Sequence, residues 1–125
     1  MEFTEESIQP GVVVLKVAGS VRVGPTCRQI EQAVEGMIRR HETRVILDLS
    51  GVSYIDSSGI GTLVKCLAKL NKSGGTLCLT GVKAMVGDAL KLTRVDSVLK
   101  VHPTVSEALR DLPPVTNPQQ TTEFR

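Results

Sequence analysis

No part of this chain constrains its fold more than residues 45–61, Val-Ile-Leu-Asp-Leu-Ser-Gly-Val-Ser-Tyr-Ile-Asp-Ser-Ser-Gly-Ile-Gly. An apolar run from Val45 feeds a second short strand that ends at Ile55, small polar residues follow, and from Ile60 the apolar spacing turns helical. A change from strand to helix periodicity over so few residues predicts a strand, a tight turn and an amphipathic helix. The turn sets the hydroxyls of Ser57 and Ser58, flanked by the carboxylate of Asp56, at a helix start. Side chains on such a turn stand where another protein can touch or modify them.

The rest of the chain continues the alternation. Residues 3–8 read as an edge strand ended by the turn signal Gln9-Pro10-Gly11, and residues 12–17 as a more central, β-branched strand closed by Gly19. From Pro25, the residues Cys27, Ile30, Val34, Met37 and Ile38 recur at helical spacing. Pro25 suits the first turn of that helix, where its missing N–H would be unpaired anyway. Residues 44–49 form a buried-strand candidate. The helix after the serines carries Ile60, Leu63, Val64, Leu67 and Leu70 on one stripe and stops at Gly74-Gly75. Residues 76–80 read as a strand, Met85, Val86, Ala89, Leu90 and Thr93 as a shorter helix, and residues 98–101 as a last short strand. Thr104-Val105-Ser106-Glu107 has the form of a capping box, opening a helix whose apolar face is Val105, Ala108, Leu109 and Leu112. An opening antiparallel hairpin followed by alternating strands and helices predicts an α/β fold, a mixed sheet with crossover helices. Length fits one domain over residues 1–112, and the Pro-, Thr-, Asn- and Gln-rich residues 113–125 are expected to form a disordered tail.

Several functional classes are disfavoured. Aromatic residues make up 2% of the chain and its net charge is +2, so neither base stacking nor a phosphate-backbone footprint is available, and no nucleic acid partner is expected. Cys27, Cys66 and Cys78 form no CxxC pair and are read as buried free thiols. The acidic N-terminus lacks an apolar segment and no run approaches the ~20 residues of a membrane span, so a cytoplasmic protein without membrane insertion is expected. Asn71-Lys72-Ser73 is accordingly a helix end rather than a glycosylation site. Nucleophilic catalysis needs a base, and His41 and His102 both read as solvated loop imidazoles. The G-x-S-x-G elbow and metal-ligand spacings are missing, so no enzyme activity, metal or cofactor is expected.

Two readings of the serine cluster remain. Asp56 and Ser57 fit a helix cap that satisfies orphan N–H groups. Ser57 also fits the target of a kinase, since a phosphate there would suit the helix N-terminus yet repel a docked partner, although on chemistry alone the cap is the stronger reading. A glycine-flanked helix start at Gly59 and Gly61 is also compatible with an anion, but no Walker or dinucleotide pattern accompanies it.

The chain resembles the STAS domain proteins of the anti-sigma-factor antagonist (anti-anti-sigma factor) type. The likeness rests on Val45-Ile46-Leu47-Asp48-Leu49-Ser50, on Tyr54-Ile55-Asp56-Ser57-Ser58-Gly59-Ile60-Gly61, on Gly74-Gly75 before Thr76-Leu77-Cys78-Leu79, and on Ser106-Glu107-Ala108-Leu109. It implies a mixed β-sheet of roughly four to five strands with about four α-helices mainly on one face. It also implies a cycle. The unmodified protein binds an anti-sigma factor, a serine kinase of GHKL type, and so frees a sigma factor; the kinase then phosphorylates Ser57 and the complex falls apart. A PP2C-type phosphatase resets the protein. Asp56, Ser57, Ser58, Gly59, Ile60 and Arg22 would form the partner-binding face, and weak nucleotide binding is a further property to test. The same fold also serves as a non-switching scaffold or regulatory subunit in transporter, lipid-transport and stress-signalling complexes, and that is the competing reading.

One position departs from the resemblance. Members often carry an acidic residue shortly after the glycine of the second strand, and Gly19-Ser20-Val21-Arg22 places a cation there instead. Arg22 is open to three roles: pairing with a phosphate, altering the choice of partner, or simple solvation.

Overall fold

The strands lie in the sheet in the order in which the chain makes them. The computed structural model describes residues 3–112, so the tail expected over 113–125 falls outside the described residues. It contains β1 (Phe3–Gln9), β2 (Val12–Val21), α1 (Pro25–Arg39), β3 (Arg44–Ile55), α2 (Ser57–Lys72), β4 (Thr76–Thr80), α3 (Ala84–Leu92), a 3-10 turn at Val95–Ser97, β5 (Lys100–His102) and α4 (Val105–Asp111). β1 pairs antiparallel with β2, and β2, β3, β4 and β5 run parallel, giving the mixed five-stranded sheet that the alternation predicts.

Sequential order has a geometric consequence. Parallel crossovers are right-handed as a rule, and when each steps in the same direction the intervening helices land on one face, as α1, α2 and α3 do here. There Val13, Leu15, Val45, Leu47, Leu77 and Leu79 of the sheet meet Ile30 and Met37 of α1, Leu63 and Leu70 of α2, and Val86 and Leu90 of α3. The residues between them point the other way. Val12, Val14, Ile46 and Cys78 form a smaller cluster covered by Ala108 of α4, with Val105, Leu109 and Leu112 packed at its rim.

β3 is where the expected pair of strands becomes one. It runs unbroken for 12 residues, and its register with β2 slips between Lys16 and Ala18 and again between Gly19 and Ser20. Each slip inserts one extra residue on β3, as a β-bulge does. Leu49, Val52 and Ile55 therefore all face the main core although they are spaced by three rather than two, with two exposed residues between each pair. Strict alternation would have turned Val52 toward solvent. Gly19, at φ 101, lies within β2 at this distortion instead of closing the strand, which continues to Val21.

Other expectations change in detail. Val64 is exposed, and Thr62 and Cys66 complete the buried stripe of α2 in its place. Met85 is also exposed, leaving Val86 and Leu90 as the buried residues of α3. The last strand begins at Lys100 rather than 98, because Arg94 turns left-handed (φ 61) and starts the 3-10 turn that uses up the preceding residues. Half of the capping box forms: Thr104 Oγ1 accepts the Glu107 N–H at 3.2 Å, while the Glu107 carboxylate lies 3.8 Å from Arg110. His102 is no solvated loop residue, since its side chain is 14% exposed and its Nδ1 lies 3.5 Å from Asp111. His41 does lie exposed in the turn between α1 and β3. The thiols of Cys27, Cys66 and Cys78 are free and buried.

Candidate functional site

The turn between β3 and α2 is tied to the loop after β2. Asp56 is the N-cap of α2, in extended conformation, and its Oδ1 accepts the Gly59 N–H at 2.8 Å. Its Oδ2 accepts the Val23 N–H at 3.1 Å, and its own N–H donates to the Val21 carbonyl at 3.1 Å. One residue thus closes the helix and pins the neighbouring loop on both sides of Arg22. The N–H of Gly59 foremost, then those of Val23 and Ser58 and the nearby Arg22 charge, hold the Asp56 carboxyl below its ordinary value of 3.8.

Gly59 sits at the third helical position because nothing larger fits. A Cβ there would lie 2.6 Å from the Val21 carbonyl oxygen, 2.7 Å from Ile55 Cγ1 and 2.9 Å from Val21 Cγ1. Gly61 is different, with nothing within 4 Å of an added Cβ. Ile60 is buried in the main core and anchors the first turn of α2 to it.

Ser57 and Ser58 occupy the first two positions of α2 and are exposed. Among the described residues the Ser57 hydroxyl has no hydrogen-bond partner, whereas Asp56 alone supplies the side-chain cap. The two readings of the cluster therefore separate by residue. Asp56 does the capping, and the hydroxyl of Ser57 is free for other chemistry.

Arg22 comes to the same place from the other loop. Its guanidinium carbon stands 4.6 Å from the centroid of the Tyr54 ring, a cation–π distance. Among the described residues no carboxylate lies within ion-pair distance of it. Two members of this face escape the sequence reading: Tyr54 and Val23, exposed by 40% and 72%. Tyr54 belongs to the motif, and in β3 it pairs with Ser20 of β2, two residues before Arg22. Val23 carries no sequence signal, since an exposed valine in a loop looks like any other.

No group of three or more His, Cys, Asp or Glu among the described residues is placed to hold a metal ion. No helix among them is long and apolar enough to cross a membrane.

Comparison with known proteins follows the same lines. The STAS domain family model matches residues 5–108. A Thermotoga maritima protein provisionally named an anti-sigma factor antagonist is 35% identical over 69 residues, which cover 55% of this chain and 61% of that protein. The chain thus spans about three-fifths of that relative's length in the alignment. The crystal structure of a Thermotoga maritima protein of the same description superposes with a TM-score of 0.80 at 27% identity, over 88% of this chain and 93% of that one. The anti-sigma-B factor antagonist of Staphylococcus aureus is 28% identical over 98 residues, covering 78% of this chain and 90% of the relative. The Bacillus cell fate determinant SpoIIAA in its phosphorylated form shares the fold, with a TM-score of 0.68 at 20% identity over 87% of this chain and 97% of SpoIIAA.

Proposed function

The chain belongs to the STAS domain family, and from that footing we propose that it is an anti-sigma-factor antagonist whose docking is switched by phosphorylation of Ser57. The observation that carries the reading is the free hydroxyl of Ser57, exposed at the first position of α2 while Asp56 alone caps the helix. The names of the Thermotoga maritima and Staphylococcus aureus relatives support the class of partner. The partner is then an anti-sigma factor that is also a serine kinase of GHKL type, and a PP2C-type phosphatase restores the hydroxyl.

The physical logic of the switch follows from position. A phosphate brings about −1.5 to −2 charges and three acceptor oxygens. At the first turn of a helix those oxygens meet unpaired N–H groups and the positive end of the dipole, so the fold tolerates the modification. The neighbouring surface of Val23 and Tyr54 is partly apolar, and a partner seated on it must desolvate whatever stands beside it. A penalty of about 3 kcal/mol lowers affinity more than a hundredfold.

The reading is tested in two steps. Incubation with the candidate kinase and ATP, followed by peptide mass mapping, should place the added phosphate on Ser57; modification elsewhere, or none, overturns it. Calorimetry against the same partner should then show Ser57→Ala binding like the unmodified protein and Ser57→Asp at least about tenfold weaker. Equal affinity for all three forms would remove electrostatic exclusion as the mechanism.

A further inference from the structure

Among the described residues the Ser57 hydroxyl has no hydrogen-bond partner and the Arg22 guanidinium no carboxylate partner, and both residues adjoin groups held by Asp56. Asp56 holds the backbone on both sides of Arg22, through the Val21 carbonyl and the Val23 N–H, and Ser57 is its immediate neighbour. Both oxygens of Asp56 already accept backbone N–H groups, and the Arg22 guanidinium rests on Tyr54 instead. That arrangement leaves a planar, bidentate cation, without a carboxylate partner among the described residues, on a loop that is hydrogen-bonded to the residue preceding a free hydroxyl.

We infer that Arg22 is the phosphate-receiving residue of the switch: in the unmodified protein its guanidinium rests on Tyr54, and when Ser57 is phosphorylated it leaves the ring and pairs with the phosphate. The inference rests on Ser57 being able to carry a phosphate, and it deepens the proposed function by assigning the modified state its own structure. In the modification the γ-phosphoryl group of ATP is transferred to Ser57 Oγ, the bond to the β-phosphate oxygen breaks, ADP leaves, and the hydroxyl proton is released. The product is close to a dianion with three strong acceptors, to which a guanidinium donates two parallel N–H bonds. An exposed cation–π contact is weak beside that pairing. The carboxylate of Asp56 opposes a second negative charge next to it, and Arg22 compensates for that repulsion.

The consequence reaches the docking face. Phosphorylation removes the cation from Tyr54 as well as adding negative charge nearby, so a partner that had met a guanidinium stacked on an aromatic ring meets a bare ring and a pair that still carries net negative charge.

The chain offers its own reporter, having one Tyr and no Trp, so its tyrosine emission belongs to Tyr54 alone. Phosphoserine is installed at position 57 of the full chain by co-translational incorporation, in the natural background and with Arg22→Gln or Arg22→Lys. Two readouts are compared: the 31P titration midpoint of the phosphate and the Tyr54 emission with and without the modification. With Arg22 present, the midpoint should lie about 0.5 pH unit or more below that of the Arg22→Gln protein, and phosphorylation should change Tyr54 emission. In Arg22→Gln the emission should not respond to the phosphate, and Arg22→Lys should restore part of the midpoint shift but not the ring-dependent signal. Equal midpoints with Arg22 present and in the Arg22→Gln variant, or a Tyr54 signal indifferent to phosphorylation when Arg22 is present, overturn the inference. Because the phosphate is installed and not added by a kinase, that failure leaves the Ser57 assignment standing, and failure of kinase mapping leaves this result standing.

Discussion

Gly59 and Gly61 look alike in the sequence and differ entirely in the fold. Gly59→Ala would press a Cβ to 2.6 Å from the Val21 carbonyl oxygen and 2.7 Å from Ile55 Cγ1, which only a backbone shift relieves. We expect a loss of about 1–3 kcal/mol, read from the urea midpoint. Gly61→Ala, with open space around its Cβ, should be neutral or gain up to about 1 kcal/mol from helix propensity. Asp56 predicts a pH effect. Its carboxyl is held below 3.8 chiefly by the Gly59 N–H, so the folded state binds its proton less readily than the unfolded chain. The stabilisation is present above the unfolded value and is lost as pH falls through the lower, folded one. Asp56→Asn keeps an acceptor for the Gly59 N–H but removes the titration. Its urea midpoint should therefore fall less than that of the unmodified protein between about pH 5 and about pH 2.5. The sequence names both the cap and the hydroxyl as candidates. Only the hydrogen bonds divide the roles, because Asp and Ser are both good capping residues.

At the scale of elements, the most instructive joint is the end of α1. Glu42 N–H reaches the Met37 carbonyl at 2.9 Å and His41 N–H the Ile38 carbonyl at 3.0 Å, the two bonds of a Schellman ending. His41 holds the left-handed position at φ 63, which a glycine usually fills. His41→Gly should therefore stabilise the protein by about 0.5–1 kcal/mol, visible as a higher melting temperature. α2 ends in the same way, with Gly74 at φ 83 and the Gly75 N–H on the Leu70 carbonyl, and there the sequence shows the stop openly. That contrast explains why one helix end is legible and the other is not. β3 teaches a similar lesson. A period of three at Leu49, Val52 and Ile55 belongs to neither a regular strand nor a helix, and the two bulges that rationalise it exist only in its pairing with β2.

Across the whole molecule, burial decides chemistry that the residue types leave open. Burial pushes the thiol of Cys66, in the seam between α1 and α2, from 9.0 up to about 12, and that of Cys78, under α4, up to about 11. Near neutral pH Cys66 thus carries roughly a thousandfold less thiolate than an ordinary cysteine. Alkylation of the native protein, followed by peptide mass mapping, should leave Cys66 and Cys78 unlabelled over times in which urea-unfolded chains react completely. Rapid native labelling at either would contradict the packing. Strand and helix order along the chain and the buried thiols could be read from the sequence, because apolar periodicity and β-branched runs are local properties of the chain. Residues 45–61 likewise announced the strand, the turn and the helix from their own spacing. The sequence alone could not place Arg22 over Tyr54, bring Val21 and Val23 to Asp56, or turn Val52 inward. Those contacts join residues far apart in the chain, and they arise when parallel strands settle into a register that two bulges displace. Local propensity determines which elements form; the pairing between distant strands determines which side chains share the face around Ser57.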